Sequence, residues 1–130
     1  MRSINNMVAE ANAIVEHAPA AELIALHGVE GVTFVDLRDV RELEREGMVP
    51  GAFHCPRGML EFWIDPQSPY AKPQFRTGNR FVFYCAGGQR SALAAKVAME
   101  MGLERVCHVS DGFKGWREVG GPVAERHKKV

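Results

Sequence analysis

The stretch that most constrains the fold is "RFVFYCAGGQRSALAAK", residues 80–96. Its first residues are a continuous apolar run, which reads as a strand buried on both faces, the kind found in parallel sheets covered by helices. Cys85, a glycine pair and Arg90 follow at once, and from Ser91 an alanine-rich helical pattern runs to a stop at Gly102. A strand feeding a helix through a short glycine loop is the central piece of an α/β domain, and ligands of such sheets sit beyond the carboxyl ends of the strands. The spacing places Leu93, Val97 and Met101 on one face of that helix and Ser91 at its N-cap.

The rest of the chain repeats this alternation. Residues 5–17 carry Met7, Ala11, Ile14 and Val15 at helical spacing, and a second short helix is expected from Pro19 or Ala20 to His27, with Gly28 as its cap. "VTFVDLR" reads as a buried strand, Asp39 as the N-cap of a helix ending at Gly47, "GAFHCP" as a strand and "RGMLEFWID" as one or two helical turns. Residues 64–79 hold three of the seven prolines and read as a loop that borders the site. "RVCHVS" is a further strand, "DGFKGW" leads into a last short helix, and "AERHKKV" reads as a solvated basic tail. The pattern predicts an extension over 1–18, one domain over 19–122 and a tail over 123–130, with a mostly parallel central sheet flanked by helices.

Sixteen basic and sixteen acidic residues cancel, so no net field points to nucleic acid or an anionic membrane. No apolar run approaches a membrane span, and the N-terminal stretch lacks a signal-peptide core; a cytoplasmic location is the expectation. The three cysteines, Cys55, Cys85 and Cys107, are odd in number and far apart, against a disulfide framework and against a zinc ribbon. His54–Cys55 and Cys107–His108 are adjacent pairs, and adjacent strand residues face opposite ways, so no metal and no cofactor is expected. Cys55 and Cys107 read as buried structural thiols.

The loop Cys85-Ala86-Gly87-Gly88-Gln89-Arg90 therefore curls over a helix start. Its free N–H groups make an anion-binding concavity, and the positive helix end with Arg90 nearby favours the nucleophilic thiolate. No GK[ST] or GxGxxG follows, so a nucleotide loop is unsupported. Arg90 either draws in an anionic donor or pairs with an acidic residue of the sheet edge. Asp36 and Arg38 lie at a strand end on the same face and read as a charge pair buttressing the loop. Arg57 lines the entrance, Trp63, Phe62 and Trp116 form an apolar rim or pack in the core, and Cys55 is a structural thiol or a resolving partner of Cys85.

Three motifs in order, "FVDLRDVRELEREGMVPGAFHCP", "VFYCAGGQRSALAA" and "VSDGFKGW", resemble the single-domain rhodanese-like sulfurtransferases over roughly residues 20–120. Met48 stands where that family often has histidine. The resemblance implies a three-layer rhodanese-like fold and a catalytic Cys85 that takes a sulfane sulfur from a donor such as thiosulfate as a persulfide. Residues 86–91 would cradle it, and an acceptor, cyanide or a thiol, would remove it. It implies no metal, no cofactor and no histidine, since a persulfide anion needs donors more than a general base. A protein donor or acceptor is compatible, which makes a sulfur-carrier or binding module the second reading. The third is a cysteine phosphatase of the same architecture; those enzymes use Cys-x5-Arg, whereas four residues separate Cys85 from Arg90 here.

Overall fold

The computed structural model describes residues 1–127; Lys128, Lys129 and Val130, the end of the expected basic tail, lie outside the described residues. Five strands form one parallel sheet: β1 (Glu16–Ala18), β2 (Val32–Asp36), β3 (Phe53–His54), β4 (Arg80–Tyr84) and β5 (Val106–Val109), in the spatial order β1-β5-β4-β2-β3. Among the described residues six α-helices surround it: α1 (Ile4–Ile14), α2 (Ala20–Leu23), α3 (Val40–Glu46), α4 (Leu60–Ile64), α5 (Gln89–Glu100) and α6 (Gly112–Glu118). From β2 the chain steps to one edge, and from β4 towards the other. The boundary between β2 and β4 is thus the topological switch point where α/β sheets bind ligands.

Strand periodicity sorts the core into two layers. Phe81 and Phe83 of β4 join Val35, Leu60, Ile64, Ala94, Ala95 and Ala98 on the face covered by α4 and α5. Val82 and Tyr84 join Phe34, Leu23, Phe113 and Trp116 on the face covered by α2 and α6. This is the helix–sheet–helix arrangement expected from the buried apolar strand.

Asp39 caps α3 as expected, with Glu42 returning the bond to the Asp39 N–H, and Gly47 ends the helix at φ 81°. The solution at α5 differs from expectation. Its N-cap is Gly88, at φ 101°, and Ser91 is a buried residue of the first turn rather than the cap. Its buried face is Ser91, Ala92, Ala94, Ala95 and Ala98, with Met101 exposed: small side chains let the helix lie close to the sheet and to Ala11 of α1. Leu93 and Val97 instead line a groove with Met7 of α1.

Two segments are more integrated than their sequences suggest. Residues 16–18, expected to continue the first helix, pair with β5 as an edge strand, Glu16 opposite Cys107 and Ala18 opposite Val109. The tail, expected to be solvated, is held at Ala124, which exchanges two backbone hydrogen bonds with Met48 (2.9 and 2.8 Å). The 64–79 loop contains one 3-10 turn, Pro73–Arg76, that buries Phe75.

Candidate active site

Cys85 follows the last residue of β4, and its Sγ lies beneath the first turn of α5. The Gly88 N–H donates to Sγ at 3.2 Å. No acceptor among the described residues takes the N–H groups of Ala86, Gly87, Gln89, Arg90 or Ser91, as helix starts require. The loop's shape is enforced from α6: Phe113 N–H donates to the Cys85 carbonyl (2.8 Å) and Lys114 N–H to that of Ala86 (3.2 Å). A Cβ on Gly88 would collide with the Ser110 carbonyl, and one on Gly112, at φ 63°, with that of Ala86. Both positions thus require glycine for conformation and for space.

Under the loop, Asp36 and Arg38 are fully buried and paired. Arg38 donates from Nη2 (2.8 Å) and Nε (3.0 Å) to the Asp36 carboxylate and from Nη2 to the Gly47 carbonyl (2.8 Å). Tyr84, beside Cys85, donates to Asp36 at 2.6 Å and accepts from Val49 N–H at 3.1 Å. The guanidinium also lies 4.4 Å from the centre of the Phe113 ring. Burial opposes the Arg38 charge, but the Asp36 carboxylate outweighs it and holds the guanidinium above its ordinary range. The pair is a buttress joining β2, the end of β4 and the start of α6.

Arg90 is spoken for. Its two terminal nitrogens meet the two Glu42 oxygens at 2.9 and 3.1 Å. That hydrogen bonding holds the Glu42 carboxyl below its usual range and overcomes its partial burial. Of the two roles expected for Arg90, pairing is the one the structure displays, with α3 rather than a sheet strand supplying the acid. Arg57 pairs with Glu61 (2.9 Å) and lines a groove with Arg2 and Lys96, away from the cavity at Cys85. Trp116 is buried and Trp63 packs against the core, while Phe62 is exposed.

The cavity at the thiol, about 240 Å³, is lined by Cys85, Gly87, Gln89 and Arg90. A larger one, about 630 Å³, adjoins it through Gly87 and is lined by Ala86, Phe113, Lys114, Arg117, Glu46 and Glu118. Cys55 and Cys107 have no such access: burial pushes the Cys55 thiol up to about 12 and that of Cys107 above its ordinary value. All three cysteines are free. No cluster of three or more His, Cys, Asp or Glu side chains among the described residues is arranged to hold a metal, and no helix there is long and apolar enough to cross a membrane.

One connection has no counterpart in the sequence reading. Ser91 Oγ lies 3.6 Å from Cys85 Sγ and 2.9 Å from His108 Nδ1, and His108 Nε2 lies 2.7 Å from Asn12 Oδ1. His108 lies 17 positions from Ser91, and no motif ties it to the loop. The available signal was parity: Cys107 joins the α2/α6 core layer, which turns its neighbour His108 to the α5 face.

Comparison with known proteins places this geometry. The family described as the rhodanese-like domain matches residues 19–119. A mouse thiosulfate sulfurtransferase/rhodanese-like domain-containing protein 3 is 26% identical over 100 residues, 73% of this chain, and the chain spans 64% of that relative's length. The polysulfide-sulfur transferase homodimer of Wolinella succinogenes superposes with a TM-score of 0.69 at 27% identity, over 94% of this chain and 87% of that one. A Rhodopseudomonas palustris protein of unknown function, described as a possible tyrosine phosphatase, is 58% identical with a TM-score of 0.93, over 95% of this chain and 96% of its own. With a family match over residues 19–119, which takes in the β4–loop–α5 unit that holds Cys85, the chain belongs to the rhodanese-like domain family.

Proposed function

We propose that the protein is a sulfurtransferase that carries a sulfane sulfur on Cys85. The thiolate attacks the outer sulfur of a donor such as thiosulfate, the sulfur–sulfur bond of the donor breaks, and sulfite leaves with the bonding pair. Cys85 is left as a persulfide anion, with loop N–H groups within reach. A thiophilic acceptor, cyanide or a thiol, then attacks the terminal sulfur and releases the Cys85 thiolate. No external oxidant or reductant enters, and the kinetics are ping-pong. The larger cavity carries Lys114 and Arg117 beside Glu46 and Glu118 on its wall; a small molecule or a protein persulfide can serve as donor.

The observation that carries this reading is the division of labour in the loop. Sγ receives a backbone N–H from Gly88, while the Arg90 guanidinium is engaged at two points by Glu42. A phosphoryl group needs a positioned cationic clamp around three equatorial oxygens. Here the loop is four residues long between Cys85 and Arg90, and the arginine, though on the wall of the thiol cavity, has both terminal nitrogens held by Glu42.

The phosphatase description of the Rhodopseudomonas protein makes the test a paired one. Wild type and Cys85→Ser are assayed for thiocyanate formation from thiosulfate and cyanide, and for hydrolysis of an aryl phosphate. Cys85-dependent thiocyanate formation without phosphate release supports sulfur transfer; the reverse pattern replaces it with phosphatase chemistry.

A further inference from the structure

The residues behind Cys85 form a continuous polar file through an otherwise apolar layer. Ser91 and His108 are fully buried, yet neither is unsatisfied. Polarity of hydrogen bonding fixes the direction of the file. Asn12 offers its carbonyl oxygen, an acceptor only, so His108 Nε2 carries the ring proton and Nδ1 is a bare lone pair. The Ser91 hydroxyl must then donate to Nδ1, leaving its oxygen to accept from the Cys85 S–H. In this state every group is paired and the sulfur is a thiol.

We infer that Ser91, His108 and Asn12 are a built-in proton outlet for Cys85, and that helix α1, outside the matched family region, is thereby part of the active site. When Cys85 becomes the nucleophile, its proton passes to Ser91 Oγ as the Ser91 proton passes to His108 Nδ1. The electron pair of the broken S–H bond stays on sulfur, the Ser91 hydroxyl turns to donate to the thiolate, and the imidazolium keeps its Nε2–H on Asn12. Ser91 touches the reacting atom; His108 accepts the proton through it, and Asn12 is a positioning residue that sets the tautomer.

The surroundings of His108 suit this role. The groups around it are the neutral Asn12 from α1, Ser91 from α5, Phe83 opposite in register on β4 and His17 from β1, with ring centres 5.5 Å apart. Burial, reinforced by His17, lowers the His108 ring to about 4, so the site disfavours the ring's second proton and the imidazole rests neutral while Cys85 is a thiol. An imidazolium there is costly unless an anion lies close, and a thiolate one hydroxyl away supplies that anion. The nearest cation to Cys85 in sequence, Arg90, is already paired with Glu42.

The inference rests on Cys85 being the nucleophile, but its test does not require sulfur transfer. The rate of Cys85 alkylation by iodoacetamide is followed against pH, by mass, in wild type, Ser91→Ala, His108→Asn and Asn12→Asp, the last placing a carboxylate against Nε2–H. Cutting the outlet in S91A or H108N is expected to slow alkylation near neutral pH about tenfold, equivalent to one pH unit. Asn12→Asp stabilises the imidazolium and is expected to move the profile about one unit the other way, to lower pH. Opposite signs at two ends of one file are what mere structural damage does not give. Superimposed profiles for S91A and wild type, or an N12D profile displaced in the same direction as S91A, would overturn the inference, and neither result depends on H108N folding.

Discussion

Arg90 and Glu42 face each other across the gap between α5 and α3, guanidinium to carboxylate, at 2.9 and 3.1 Å. Glu42 also accepts the Asp39 N–H at 3.0 Å, so one carboxylate closes the capping box of α3 and fixes the end of the active-site loop. Glu42→Gln is expected to destabilise the fold by about 1 kcal/mol, the range of a lost cap interaction together with a half-exposed ion pair. It also releases Arg90, which already stands on the wall of the thiol cavity, from its carboxylate partner. The expected kinetic result is a KM for thiosulfate lowered several-fold with kcat little changed, read from steady-state assays.

Buried charge makes Asp36 far less replaceable than Glu42. Asp36→Ala takes the main acid from the fully buried Arg38 guanidinium, leaving it Glu46 at 3.4 Å and the Gly47 carbonyl, and leaves the Tyr84 hydroxyl without its acceptor. A loss of about 3–5 kcal/mol is expected in denaturant unfolding. Tyr84→Phe, which removes one hydroxyl from the same network, is expected to cost about 1–2 kcal/mol.

Gly88 tests the loop geometry itself. Alanine there meets both a positive φ of 101° and the Ser110 carbonyl. Gly88→Ala is expected to lose at least about 1–3 kcal/mol and most of the sulfur-transfer activity, because the backbone N–H at Sγ moves with it. Gly87→Ala, with nothing within 4 Å of the added carbon, is the control and is expected to remain folded.

His108 imposes a pH dependence on stability. Its ring titrates at 6.5 when unperturbed and at about 4 when folded. As pH falls through that window the unfolded chain takes up a proton that the folded one refuses, so stability falls, by up to about 3 kcal/mol between these limits. Above the window the group contributes no slope. Urea midpoints at about pH 7 and about pH 5 check this; the difference is expected to shrink in His108→Asn.

Much of this site is legible in one dimension because it is local. The β4 run, the glycine loop and the start of α5 lie within a dozen residues, and the pairing of Asp36 with Arg38 follows from their spacing on one strand end. The Asp39 cap and Gly47 stop of α3 are equally local. What the sequence conceals depends on the sheet order. β1 is three residues long and mostly exposed, so it carries no periodic pattern and exists only because β5 offers an edge. Ser91 has the chemistry of an N-cap, but Gly88 takes that position and frees the hydroxyl for His108. The contact of His108 with Asn12 spans 96 positions and is made by the packing of α1 on α5, which no local signal announces.

The most direct test of the central claim is the intact mass of the purified protein before thiosulfate, after it, and after subsequent cyanide, beside Cys85→Ser. The account predicts a gain of one sulfur atom that cyanide removes, absent from the mutant and unaffected in Cys55→Ala, whose thiol is held protonated by burial. No gain in wild type, or an equal gain in Cys85→Ser, would contradict it.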